Sequence, residues 1–160
     1  VRETAEEITS SYERRLVGLR NAKKVVARPQ VYFEEWDSPM ITGIKWVSEL
    51  IEIAGGVDVF SELASNEAAT DRIVSSQQVI KAAPDIIVAS WFGKKVRLET
   101  IKDRYGWSVV PAVTNNCIFE IKSPLILQPG PAALTEGLDK LVKIISTVDN
   151  RLQSAVRTFY

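Results

Sequence analysis

The chain has 160 residues, of which 46% are hydrophobic and 25% charged, and its 20 basic residues balance its 20 acidic ones. These proportions are typical of one globular domain, and the absence of a clustered basic excess argues against a nucleic-acid partner. The absence of histidine excludes Ser-His-Asp and Cys-His catalysis and His-ligated zinc or haem. The single cysteine, Cys117, lies in an apolar run and is expected in the core.

The first predicted element is a long amphipathic helix over residues 2–26. Apolar side chains recur along it at steps of three and four, at Ala5, Ile8, Tyr12, Leu16 and Leu19. At 1.5 Å per residue the helix would span about 36 Å, which is more than packing in one small domain needs. Because the chain also starts without Met, we expect it to be a piece of a longer protein.

A short strand is predicted after the first helix. β-branched and aromatic residues fill positions 31–33, and residues 34–39 are predicted as the exit loop. The paired acids Glu34 and Glu35 are interpreted as solvated, because neighbouring residues of an extended chain point to opposite sides and cannot converge on one substrate.

Two helices are predicted between residues 44 and 84. Helical periodicity returns over residues 44–54, and the glycine pair at 55–56 is a helix-end signal. Ser75 and Gln78 have the spacing of a capping box, which predicts the start of a short helix that ends before Pro84.

The second half of the chain alternates strands and helices. The apolar run 86–89 predicts a strand buried on both faces. A helix is predicted over 98–106, strands over 108–110 and 118–121, and a long helix from 129 to 145. This alternation indicates an α/β fold, a Rossmann-like three-layer lobe with a mainly parallel sheet. We divide the chain into a long linker helix (1–27), an α/β lobe (28–148) and a C-terminal helical tail (149–160).

Ligands of open α/β sheets bind at the carboxyl ends of the strands. There the chain places Trp36 and Asp37 after the first strand, and Trp91, Phe92 and Lys94 after the buried one. A loop tryptophan can simply fold back on the sheet. Two of them beside charges favour a binding surface of flat apolar plates and cationic heads, suited to a large, partly planar, partly anionic ligand.

Other candidate sites carry less weight. Trp46 and Trp107 are interpreted as structural, and the basic cluster at 94–97 is ordinarily a solvated helix start, although its charges oppose the helix dipole and hint at an anionic group. No G-x-G-x-x-G or G-x-x-x-x-G-K-[ST] phosphate loop is present, so nucleotide binding has no support.

The order of several motifs resembles a known family. Residues 28–37, the stretch 46–56 with its Ala-Gly-Gly ending, the Pro-Asp-apolar strand 84–88 and the segment 123–131 are similar to the C-terminal lobe of substrate-binding proteins for metal-chelate ABC importers. The resemblance covers about three quarters of the chain, from 28 to 145. Within this cobalamin and iron-siderophore class it looks most like the corrinoid-binding branch.

The resemblance implies a function and a site. Two α/β lobes would be joined by the long first helix, and the missing N-terminal lobe would complete the cleft. The implied ligand contacts are Trp36, Asp37, Arg72, Trp91, Phe92 and Lys94. A permease-docking glutamate of the family is replaced here by the neutral Gln77, so that either another acid docks the permease, with Glu67 and Asp71 as candidates, or the interaction is weaker.

We therefore expect a binding protein without enzymatic activity or a cofactor of its own. It would capture a corrinoid or ferric siderophore outside the cytoplasm, periplasmic if the cell has an outer membrane, with a signal sequence upstream, and deliver it to an ABC permease. Two alternatives stay open: a flavodoxin-like enzyme domain using Lys94 or Asp37, and an interaction module that dimerises through its first helix. The sequence does not distinguish corrinoid, siderophore and haem.

Overall fold

The computed structural model describes residues 2–22 and 27–158, with side chains described over 5–21 and 27–154. The strands are β1 (Gln30–Asp37), β2 (Met40–Thr42), β3 (Val57–Asp58), β4 (Ile86–Ala89) and β5 (Ile118–Glu120). The helices are α1 (Arg2–Ala22), α2 (Lys45–Ile53), α3 (Ser76–Ala82), α4 (Leu98–Lys102), α5 (Pro111–Thr114), α6 (Ser123–Ile126) and α7 (Leu138–Thr158). Two 3-10 turns (Ala69–Arg72 and Trp107–Val109) and a π-helical turn (Ala133–Gly137) complete the described chain.

The sheet is mainly parallel, as predicted. Strand β1 pairs in parallel with β4, and β4 pairs in parallel with β5. On its other side β1 pairs in parallel with β3 near its start and antiparallel with β2 near its end. The parallel strands all point the same way, so their carboxyl ends share one edge.

Alternate residues of the central strands build two different cores. Val31, Phe33 and Val88 face the apolar core, which α2 and α7 cover. Tyr32 and Ile87 face the aromatic core, together with buried residues from the segments around α3, α4 and α5. Helices therefore cover both faces, and the predicted three-layer α/β architecture is confirmed.

The glycine pair after α2 has two separate physical roles. Gly55 has φ 94°, in the left-handed region that favours glycine at a helix end. A Cβ on Gly56 would lie 2.9 Å from Cγ2 of Val31, closer than packed atoms allow. The predicted helix stop is confirmed, and the second glycine lets the chain pass directly against β1.

The first helix is confirmed from Arg2 to Ala22, whereas the predicted continuation through residues 23–26 lies outside the described residues. Leu16 and Leu19 pack against the apolar core, but Ile8 is exposed. At the other end of the chain, α7 runs through residue 149 without a break. The division into linker, lobe and tail stays a prediction.

Three predictions of local structure are wrong. Residues 34–37 of the exit loop predicted at 34–39 are instead the second half of β1, because β2 folds back and hydrogen-bonds to it, and only residues 38–39 form the turn. Residues 108–110, predicted as a strand, lie in and just after a 3-10 turn. The predicted helix 98–106 ends at Lys102, and Tyr105 is 99% exposed. The capping box of Ser75 and Gln78 is confirmed.

Candidate functional site at the carboxyl edge of the sheet

The edge formed by the ends of β1 and β4 gathers most of the predicted site residues. The last residues of β1 carry Trp36 and Asp37, and the segment after β4 carries Trp91, Phe92 and Lys94. The parallel register, which ends with Glu34 opposite Ala89, brings these two segments side by side. Hydrogen bonds join residues that are 57 positions apart in the chain: Trp91 donates to Glu34, and Lys94 donates to Asp37.

The outer part of this edge, which we call the rim, consists of Trp36, Asp37, Phe92 and Lys94. The ammonium nitrogen of Lys94 lies 2.7 and 3.0 Å from the two carboxylate oxygens of Asp37. It also lies 5.3 Å from the ring centre of Trp36, within the range of a cation–π contact. Phe92 is 61% exposed, so the rim presents apolar rings beside one ion pair.

Below the rim lies a buried polar group, the platform, made of Tyr32, Glu34, Trp91 and Arg104. The carboxylate of Glu34 is fully buried. Its Oε1 accepts from Trp91 Nε1 at 3.0 Å and from Arg104 Nη2 at 2.9 Å. Its Oε2 accepts from Tyr32 Oη at 3.1 Å and from Arg104 Nη1 at 2.5 Å. The acidic side chain is therefore fully paired, which makes its burial possible.

The platform changes the acidity of its members. Burial, followed by the nearby charge of Glu34, raises the pKa of Tyr32 well above its ordinary value. Burial by itself would lower the pKa of Arg104, but the hydrogen bonds and charge of Glu34 outweigh it and raise that pKa. Both groups therefore keep their protons, and the network stays a neutral phenol around one ion pair.

The platform supports the rim through Trp91. This indole is only 2% exposed, and its ring centre lies 5.0 Å from the Lys94 ammonium. The Lys94 side chain is thus placed between two tryptophans, one buried and one partly exposed. A ligand can therefore contact the outer faces of the rim residues, while the buried Trp91 contacts the Lys94 ammonium from the side of the core.

Arg72, expected as a ligand contact, is buried with 2% exposure. Its Nη1 lies 2.5 Å from Glu35 Oε2 and 2.5 Å from the carbonyl oxygen of Thr42. This side chain ties the 3-10 turn before α3 to the β1–β2 hairpin. Its predicted contact with ligand stays untested.

The interpretation of the two glutamates as solvated loop residues is wrong. Glu34 is fully buried and Glu35 is partly buried, each with its own arginine. The two side chains bind different arginines, Glu34 with Arg104 and Glu35 with Arg72. Arg104 could not be recognised from the sequence as the partner of Glu34, because it lies 70 positions away. The period-two series Tyr32, Glu34, Trp36 was the available signal that Glu34 faces the aromatic core.

The other interpreted residues are placed as follows. Trp107 is buried and donates to Ser76 Oγ at 2.7 Å, and Trp46 donates to the carbonyl oxygen of Ile126 at 3.0 Å, so both structural interpretations are confirmed. Cys117 is buried, as expected. The three candidates for permease docking are all exposed: Glu67, Asp71 and Gln77.

The described part of the chain contains neither a candidate membrane-spanning helix nor a candidate metal-binding cluster. Across residues 2–22 and 27–158, no helix combines the length and apolar character that a membrane span requires. The same residues hold no group of three or more His, Cys, Asp or Glu side chains arranged to bind a metal ion.

Comparison with known proteins identifies the family. The family model for periplasmic binding proteins matches residues 2–125. The chain belongs to the periplasmic binding protein family. This match confirms the predicted family, and the similar proteins described next are binding proteins and not enzymes.

Individual relatives agree with this assignment. A vitamin B12-binding protein from Vibrio parahaemolyticus is 26% identical over 129 residues, which cover 77% of this chain and 43% of the relative. A possible iron-binding (periplasmic solute-binding) protein from Staphylococcus epidermidis matches the fold with a TM-score of 0.73, at 24% identity, over 89% of this chain and 55% of that one. A periplasmic vitamin B12 binding protein from Vibrio cholerae matches with a TM-score of 0.66, at 21% identity, over 91% and 55%. The chain therefore spans about half the length of these relatives.

Proposed function

We propose that this chain is the C-terminal lobe of an extracytoplasmic receptor that binds a metal chelate against the rim and delivers it to an ABC importer. The observation that carries the proposal is the rim itself, where apolar rings and a lysine converge at the carboxyl edge of a parallel sheet. The names of the relatives support a corrinoid or iron-chelate ligand. Since the chain matches about half of each, a second lobe would supply the opposite wall.

The roles within the rim follow from exposure. Trp36 and Phe92 offer flat apolar surface to a large ligand, and Lys94 offers a hydrogen-bond donor beside Trp36. Asp37 fixes the position of that donor. Trp91 is a positioning residue, because it is buried and acts on Lys94 from below.

Fluorescence titration of the complete two-lobe receptor tests this proposal. Cyanocobalamin or a ferric trihydroxamate should quench tryptophan emission in a saturable way. Replacement of Trp36 by Ala should weaken binding by about tenfold or more, since exposed aromatic anchors often dominate interfaces. The control is Tyr105→Ala, which removes a 99% exposed aromatic that follows a helix, not a strand. Absence of quenching by every chelate, or equal loss of affinity in both variants, contradicts the proposal.

Docking to the importer is a separate step of the proposal. Glu67, Asp71 and Gln77 lie exposed before and at the start of α3, and the two acids can pair with basic residues of a permease. In reconstituted importer, Glu67→Gln with Asp71→Asn should reduce the stimulation of ATP hydrolysis by the receptor while chelate affinity is retained. If stimulation is unaffected, these acids do not dock the receptor.

Self-association through α1 remains a second proposal. Ile8 and Val17 of this helix are exposed, whereas Leu16 and Leu19 are already packed against the apolar core. The exposed part of the stripe is therefore shorter than the sequence suggested. Light scattering of the 160-residue chain that shows a monomer at all concentrations would exclude a homodimer.

A further inference from the structure

The acidic side chains at the ligand edge share an unusual feature: each has its own basic partner. Four carboxylates lie on the later residues of β1 and at the end of β5. The four ion pairs are Glu34 with Arg104, Glu35 with Arg72, Asp37 with Lys94, and Glu120 with Lys122. The basic partners come from four separate segments of the chain.

The four carboxylates and their four basic partners balance one another in charge. The two arginines, Arg72 and Arg104, are not available to a ligand. Their side chains are only 3% and 18% exposed, respectively, and each is bound to a carboxylate. The lysines are more exposed, at 47% for Lys94 and 63% for Lys122. Lys95 and Arg97 are exposed on the loop that follows, where water and salt screen their charges. Apart from these two screened charges, the paired side chains of the edge offer no concentrated positive field to a multiply charged anion.

The geometry at Lys94 discriminates further between anions and neutral groups. An ammonium has three N–H donors, and the two oxygens of the Asp37 carboxylate, at 2.7 and 3.0 Å, lie on one side of the Lys94 ammonium. At least one N–H donor remains for a neutral acceptor such as an amide carbonyl, which can bind without breaking the pair. A carboxylate or catecholate would have to approach Asp37 as a like charge, which is unfavourable.

We infer that the rim is built for a metal chelate of little net charge whose periphery carries carbonyl acceptors, and that it disfavours polyanionic chelates. The inference rests on the proposed function and narrows its ligand class. Amide-bearing corrinoids and neutral ferric trihydroxamates fit this description. Ferric tris-catecholates and haem, with its two propionates, do not. This near-neutral ligand differs from the partly anionic one that the sequence suggested.

Competition binding to the complete receptor tests the inference with four probes. Cyanocobalamin and a ferric trihydroxamate represent the neutral class, and a ferric tris-catecholate and haemin represent the anionic class. At least one neutral probe should bind about tenfold or more tighter than either anionic probe, and its affinity should change little with salt concentration. Tighter binding of an anionic probe overturns the inference but leaves the proposed function intact. If none of the four probes binds, the proposed function itself fails.

A matched pair of variants tests the role of the ion pair. Asp37→Asn releases Lys94 from its charged partner, so the ratio of anionic to neutral chelate affinity should rise by roughly fivefold. Asp139→Asn makes the same change in net charge and releases Arg15, on the opposite face of the sheet, and should leave the ratio unchanged. An unchanged ratio in Asp37→Asn, or an equal rise in both variants, overturns the inference. The measurements on the unmodified receptor decide independently if a variant does not fold.

Discussion

The rim and the platform use the same chemical parts in opposite surroundings. Each contains an ion pair and a tryptophan, and the two lie in direct contact through Lys94 and Trp91. In the platform the carboxylate of Glu34 is fully buried and accepts four hydrogen bonds. In the rim Lys94 is half exposed and paired with one carboxylate. The comparison teaches that a buried ion pair contributes to the stability of the fold, whereas an exposed ion pair contributes little to stability and remains accessible to a ligand.

The largest expected effect on stability comes from breaking the platform. Glu34→Ala leaves the guanidinium of Arg104 without its partner and removes the acceptor of Trp91 and Tyr32. We expect a loss of about 3–5 kcal/mol in the free energy of unfolding, measured by urea titration of the 160-residue chain. As a control, Glu120→Ala removes a carboxylate whose partner Lys122 is 63% exposed, and it should cost less than about 1 kcal/mol. Equal losses of unfolding free energy in Glu34→Ala and Glu120→Ala would show that burial does not determine how much each ion pair contributes to stability.

A smaller loss is expected from Trp91→Phe. The change removes the indole N–H bonded to Glu34 at 3.0 Å but leaves the arginine pair in place, so about 1–3 kcal/mol should be lost. Trp36→Phe is the matched change in the rim, where the indole N–H bonds the exposed carbonyl of Ser38, and it should cost less. If the rim variant is the less stable one by urea titration, our division of roles is reversed.

Tyr32→Phe tests the platform through pH. Loss of the bond from Tyr32 Oη to Glu34 should cost about 1 kcal/mol at neutral pH. Because burial raises the pKa of Tyr32 in the folded chain, the phenol of the unfolded chain ionises first, at a pKa of about 10. The tyrosine contribution is therefore complete below that pH and is lost as pH rises toward the folded pKa. Unfolding free energy should fall less steeply above about pH 10 in the Phe variant than in the unmodified chain, and identical slopes would contradict this account.

The smallest stability effect is expected in the rim. Lys94→Met removes one member of a half-exposed pair but keeps the aliphatic stem between the two tryptophans, so the unfolding free energy should change by less than about 1 kcal/mol. Arg104→Met, the equivalent change in the platform, leaves the Glu34 carboxylate buried without its cation and should cost several times more. A large loss in Lys94→Met would mean that the rim is structural and not available for ligand.

Local patterns were sufficient for much of the fold. The apolar run 86–89, the capping box at Ser75 and the glycine pair at 55–56 each act over a few residues, and the structure agrees with all three. The errors lie where distant segments decide local structure. Residues 34–37 were predicted as a loop but form a strand, because β2 pairs with them. Tyr105 was predicted in a helix but lies beyond the end of that helix and is exposed to solvent.

The candidate site shows the same division. The sequence by itself indicated which residues stand at or just after the ends of β1 and β4, and hence that Trp36, Asp37, Phe92 and Lys94 lie on one edge. Only the tertiary structure decided that Trp91 and Arg72 are buried and that Arg104 reaches Glu34 across 70 positions. The reason is physical. Strands and helices follow from local periodicity, and their alternation indicates a mainly parallel sheet, whereas the charge that remains at an edge depends on pairs between side chains that only folding brings together.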